Sequence, residues 1–335
     1  MWFENIKTPI FTTTIDDAMK KLLAIAILSS LIACNNSNKK NTDDDAQSRS
    51  EYTNQGYEAI SLSGDTLRSP APSGELIQRF TAKKEAFDLD PSNIENIIWY
   101  GRFTAYLGNY REAIKIYSEA LKKYPNEPRL YRHRGHRYIT IREFDKAVVD
   151  LTRAASLIEG KENQVEEDGM PNAQNIPVST LHGNIYYHLG LAYYLVDEQE
   201  VAVQAFKKCL ETSHNPDNVV SATHWIYMIF NRLGREAAGA NYLRSIKPGM
   251  NVIENTAYYQ ACLFYKGDLE QKDIYPASAD ATSSNSALKY AFANWLYYNG
   301  YKENAAEILK EIVAGEDWNS FGFIAAESDL VRLHK

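Results

Sequence analysis

Residues 94–127 and 128–159 fall into register when one is slid under the other by about 34 residues. Gly101 then meets Gly135, Tyr110 meets Phe144, Ala113 meets Ala147 and Ala120 meets Ala154. In each copy the apolar positions recur at helical spacing on both sides of a short polar break, the pattern of two helices joined by a turn. A unit of this length cannot bury its apolar stripe alone and needs a stacked neighbour on each side. The expected architecture is therefore all-α: a superhelical solenoid of antiparallel helix pairs.

Gly101, Gly108, Tyr110, Ala113, Tyr117, Ala120 and Pro125 resemble the pattern of the tetratricopeptide repeat. That family places small residues where the two helices cross and an aromatic where the second helix starts. The second copy matches at Gly135, Tyr138, Phe144, Ala147 and Ala154, and departs at Arg134, where an apolar residue is usual. A third copy at 183–216 matches at Tyr186, Leu189, Gly190, Tyr193, Ala202 and Phe206, with Cys209 in a small-residue slot. Residues 220–248 form a degenerate fourth copy that keeps Trp225, Leu233, Gly234 and Leu243. A partial repeat at 74–91 precedes them, and 252–267 and 287–335 continue in helical pattern. The stretch 318–333 is expected to cap the open end. Between copies two and three lies the insertion 160–181, and a loop of that length without periodicity is uncommon and often functional. The solenoid thus spans 74–335.

The N-terminal region reads as an address. Residues 19–33, MKKLLAIAILSSLIA, pair two lysines with an apolar run of about eleven residues, too short to span a bilayer and suited to a signal peptide. The end, Leu31-Ile32-Ala33-Cys34, resembles the bacterial lipoprotein box, which implies a lipid on Cys34. Residues 1–18 carry Asp16 and Asp17 just before the basic pair, poor signal-peptide chemistry, and read as an extension ahead of a true start at Met19. The segment 34–73 reads as lipidated cysteine, polar tether and loop, with a short strand near 59–62. Asn rather than Asp follows Cys34, so the resemblance implies the outer membrane of a cell envelope, with the side unspecified.

Net charge is −7, without the basic footprint that nucleic-acid binding requires. Three cysteines make no disulfide framework, and Cys209 and Cys262 read as small buried hydrophobes. His133 and His136 sit one helical turn apart, but no third ligand completes a metal site. No phosphate loop, nucleophile elbow or zinc-protease helix is present. The reading is a binding protein, not an enzyme, with no metal and no cofactor.

The tetratricopeptide resemblance implies that the first helix of each pair lines a concave groove. Transferred position by position, that groove includes Arg102, Tyr106, Arg129, Arg132, His136, Tyr187 and Tyr194, with His224 and Met228 in the degenerate copy. The run RLYRHRGHR at 129–137 stands out in an acidic chain, and guanidinium groups pair bidentately with carboxylate or phosphate. Two readings compete. Arg102, Arg129, Arg132 and His136 form one wall for an acidic peptide; or they are a solvated face paired with Glu127 or Glu143. Asp168, Asn172 and Asn175 mark the turn-rich insertion, which either folds into the groove or is a plain surface loop. The leading expectation is a membrane-anchored scaffold for a protein or peptide partner. The alternatives are a glycan-binding uptake lipoprotein, for which the insertion looks small, and an accessory subunit of outer-membrane assembly.

Overall fold

The computed structural model describes residues 56–275 and 286–333, all within the compact unit Asp44–Lys335. Cys34, the segment 19–33 and residues 276–285 lie outside the described residues.

The chain opens with a hairpin of β1 (Ala59–Ile60) and β2 (Thr66–Leu67), antiparallel and joined by a turn at Gly64. Helix α1 (Gly74–Leu89) follows, then three helix pairs: α2 (Ile94–Tyr106) with α3 (Tyr110–Lys123), α4 (Pro128–Thr140) with α5 (Phe144–Ile158), and α6 (Leu181–Leu195) with α7 (Gln199–Thr212). Helices α8 (Pro216–Arg232) and α9 (Glu236–Leu243) form the shortened fourth pair. Next come α10 (Thr256–Lys266), the short α11 (Gln271–Ile274), α12 (Ser286–Tyr298), α13 (Lys302–Val313) and α14 (Phe321–Leu333).

Local chemistry sets the starts of several helices. Asn93 caps α2 by accepting from the amides of Glu95 and Asn96. Thr180 caps α6 through the Gly183 amide, and Asn215 caps α8 ahead of Pro216 at the first helical position. Such caps satisfy amides that a helix leaves orphaned, each worth about 1 kcal/mol.

Each of the first three pairs is locked by one glycine of the first helix against a large side chain of the second. A Cβ on Gly101 would lie 2.5 Å from the Tyr117 ring, one on Gly135 2.7 Å from Leu151, and one on Gly190 2.8 Å from Phe206. The departure at Arg134 is also structural: its guanidinium forks onto Asp150 of α5 at 2.7 Å and reaches Ser118 of α3 at 3.0 Å. An ion pair bridges three helices where the repeat otherwise packs apolar groups.

The expected cap at 318–333 is corrected. Helix α14 does not close the open end; it turns into the interior. Phe323, Ile324, Ala325 and Ala326 are buried, and so are Glu327, Ser328 and Asp329. A helix this apolar, with its acidic groups also buried, needs cover on every side. The repeats supply it. Arg142, in the α4–α5 turn, donates to Glu327 at 2.8 Å and to the Trp318 carbonyl at 2.8 Å. Arg232 of α8 pairs with Asp329, which also accepts from the Tyr290 hydroxyl at 2.7 Å. The Leu62 amide donates to Glu327, Trp318 donates to the Arg68 carbonyl, and Asn319 donates to Tyr110. The C-terminal helix therefore joins the N-terminal hairpin, and one continuous apolar core runs from Ala59 to Ala326.

Candidate functional site on the inner face of the helix pairs

Helices α2, α4 and α6 stand side by side, and their inner faces meet two segments of the chain itself. One is α14. The other is the insertion after α5. It runs out and back as two extended arms, with the Glu166 amide bonded to the Ser179 carbonyl and the Leu181 amide to the Gln164 carbonyl.

The outgoing arm lies against the arginine-bearing wall. Arg132 forms an ion pair with Glu166 at 3.0 Å, and the Asn184 amide donates to the same carboxylate. Arg102 donates to the Glu167 carbonyl at 3.0 Å while its guanidinium sits 4.2 Å over the Trp99 ring. Gly169 is buried beneath Tyr106, so tightly that a Cβ would lie 2.5 Å from the ring. Burial and the nearby Glu254 raise the Asp168 carboxyl above its ordinary range. At the apex Asn172 accepts from the amides of Gln174 and Ile176 and donates to Glu254 at 2.8 Å. Asn175 takes a left-handed backbone, φ 51°, and its side chain faces solvent. Val165, Met170 and Ile176 leave apolar surface exposed along the loop.

The structure separates the residues that the groove pattern grouped together. Arg102, Tyr106, Arg132, His136 and Tyr187 do face inward near the insertion or α14. Arg129 does not join them: it pairs with Glu95 and with Glu127 at 2.8 Å, at the start of α4. Tyr194 is also corrected, because it is fully buried with its hydroxyl on Tyr290. His224 and Met228 are fully buried too. Tyr194 is covered by Tyr290 of α12 and Arg332 of α14, and His224 by Tyr258 and Tyr265 of α10, helices that occupy space an open superhelix leaves to solvent. The sequence pattern missed Arg137. Its guanidinium lies 5.4 Å over the Tyr110 ring and makes no ion pair or hydrogen bond among the described residues. It lies within the same RLYRHRGHR run, one position past a transferred groove residue.

Histidines collect behind this wall. The His133 ring stacks on Tyr117, away from His136, whose ring packs against His188 at 4.2 Å and against Phe321 of α14. Burial, aided by Arg132 and Arg137, holds His133, His136 and His188 well below the ordinary imidazole range, so they are neutral. Burial alone pushes His224 down to about 3. It pushes the Cys209 thiol up to about 12, so this cysteine is an inert packing group. Chemically the wall can hold carboxylates and polar groups; it aligns no nucleophile with a base.

The tetratricopeptide repeat family model matches residues 183–214, which are the α6–α7 pair. No curated protein matches the chain. Among solved structures, similar ones include a tetratricopeptide repeat protein from Parabacteroides merdae, with 18% identity over 76% of this chain and 93% of that one and a TM-score of 0.45. MamA has 18% identity over 58% and 93%, with a TM-score of 0.41. YrrB, described as a TPR protein with an unusual peptide-binding site, has 14% identity over 74% and 97%, with a TM-score of 0.40. With one pair matched by sequence and its helix-pair form recurring before and after it, the chain is an all-α solenoid of helix pairs that carries a tetratricopeptide repeat at residues 183–214.

Proposed function

We propose that this protein is a lipid-anchored scaffold of a bacterial cell envelope that binds an acidic segment of a protein or peptide partner on the inner face of its helix pairs, with no catalysis of its own. One observation carries the reading. Arg132 pairs with the Glu166 carboxylate and Arg102 donates to the Glu167 backbone carbonyl, which supports a wall that takes an extended acidic segment. Arg137 adds a cation with no carboxylate of its own. A partner segment competes with the insertion for Arg102 and Arg132 and gains Arg137.

The test uses a labelled peptide of sequence NQVEEDGMPN and the full chain in detergent. The intact chain binds it weakly, because the insertion competes. A variant whose residues 163–177 are replaced by a short Gly-Ser linker binds it more tightly. Arg102→Gln and Arg137→Gln each weaken that binding by about threefold to tenfold, as expected for loss of a charge-assisted hydrogen bond. No binding to the shortened variant, or binding indifferent to both substitutions, overturns the reading. Anchoring rests on Cys34, following the apolar run at 22–32; Cys34→Ser shifts the protein from the membrane fraction to the soluble one. Crosslinking in solubilised envelope then identifies the natural partner.

A further inference from the structure

A cavity of about 250 Å³ lies between α4, α6 and α8, bounded by residues 178–180 and 254–255 and by Phe321 at the start of α14. It remains with the insertion and α14 both in place, so it is not the peptide path.

Its walls are defined by the hydrogen-bonding groups they leave unused. Arg132 spends its terminal nitrogens on Glu166 and His133. His136 has no hydrogen bond on either ring nitrogen among the described residues. His188 gives Nδ1 to the Asn184 carbonyl at 2.6 Å, which leaves Nε2 as a bare acceptor on a neutral ring. The Asn184 and Asn255 amide groups donate to Glu166 and to the Asp217 carbonyl, and their own oxygens stay unbonded. Glu254, at the mouth, has one carboxylate oxygen on Asn172 and the other open. Acceptors therefore outnumber donors.

Three constraints follow. The ligand must donate several hydrogen bonds. It cannot be an anion, because the Glu254 carboxylate is part of the lining; it cannot be a compact cation, because the Arg132 guanidinium is part of the same lining. It also needs an apolar face, since the Tyr187 and Phe321 rings form part of the lining. A neutral ring bearing hydroxyls meets all three. Size agrees: the volume sits just under the range of about 300–1,000 Å³ that holds drug-sized ligands, which leaves room for one sugar ring.

We propose that this cavity is a binding site for a single neutral sugar ring, free or at the end of a glycan. The inference goes beyond the peptide reading and does not rest on it.

The experiment is calorimetric titration of the intact full chain with glucose, galactose, mannose and N-acetylglucosamine, with glucuronate as a charged comparator. At least one neutral sugar saturates at millimolar concentration or below, and glucuronate binds more weakly. Glu254→Gln, at an exposed position, and His136→Phe, which keeps the ring stack, each weaken that sugar by about tenfold while circular dichroism stays unchanged. No saturation by any neutral sugar, tighter binding of glucuronate, or affinity unchanged in both variants overturns the proposal. A disaccharide that binds through its terminal ring with the same response to Glu254→Gln supports the glycan-end form. Loss of peptide binding in the shortened variant leaves this result untouched, so the two readings fail separately.

Discussion

The inner face of this molecule is lined by two pieces of its own chain, and they are held by opposite means. Helix α14 is apolar, buried along most of its length, and tied by ion pairs that are themselves buried, Arg142 with Glu327 and Arg232 with Asp329. The insertion is thin and largely exposed, with a few polar contacts to Arg102, Arg132 and Asn184 and one buried glycine. Buried ion pairs are costly to break because the survivor is left as a desolvated charge, whereas water replaces partners on an exposed loop. The comparison assigns α14 to the fold and leaves the insertion as the more weakly held of the two pieces.

The largest expected effect comes from splitting the α14 anchor. Glu327→Ala strands Arg142 and lowers unfolding free energy by about 3–5 kcal/mol in denaturant titration. Arg142→Gly together with Glu327→Gln loses less than the two single changes added, because no lone charge remains. Additive losses would mean that the pair does not act as a unit. Gly322→Ala comes next. A Cβ there would meet the Ser286 carbonyl carbon at 2.4 Å, backbone against backbone, so α14 must shift away from α12 at a cost of about 1–3 kcal/mol.

Acid acts on the same side. The folded-state pKa of His133, His136, His188 and His224 lies below the ordinary value of 6.5. Their contribution is complete above 6.5 and is lost as pH falls, continuing for His224 to about 3. Denaturation midpoints should therefore fall on mild acidification, and His224→Phe should flatten the slope; a flat profile in the parent chain would contradict the buried, neutral assignment. The smallest effect belongs to the insertion. Replacing residues 163–177 by a linker changes stability by about 1 kcal/mol or less, and hydrogen exchange should show its amides opening long before those of α14. Equal protection of the two segments would erase the contrast.

The repeat copies were legible because their information is local. Gly101 and Tyr117, or Gly190 and Phe206, lie within one unit, and a fixed period exposes them. Residues 318–333 were not legible, because nothing in GFIAAESDL says which side it will face. Its partners Arg142 and Arg232 lie 185 and 97 residues away in sequence, beyond any periodic signal. The same gap explains why Tyr194 read as a groove residue: its position in the repeat is correct, but the space in front of it is filled from elsewhere. Arg129 was decided by Glu95 and Glu127, which the sequence shows as neighbours of the run without saying which arginine they would take. The glycan alternative was weighed on the insertion alone, whereas the cavity draws its walls mainly from the repeats themselves.

The turn at Arg142 carries a consequence for how the chain is made. The α2–α3, α8–α9 and α12–α13 turns place glycine at the left-handed residue, φ 84° at Gly108, 68° at Gly234 and 89° at Gly300, without strain, and the α6–α7 turn places Asp197 there at φ 67°, a residue type whose short side chain tolerates the shape. Arg142 takes the same shape at φ 67° with a side chain attached, at a cost of about 1 kcal/mol or more. What offsets it is Glu327 and the Trp318 carbonyl, and these leave the ribosome nearly two hundred residues later. The second repeat, among the first to be synthesised, thus has a turn that waits for the end of the chain, and a polypeptide cut short before α14 carries that turn unsupported.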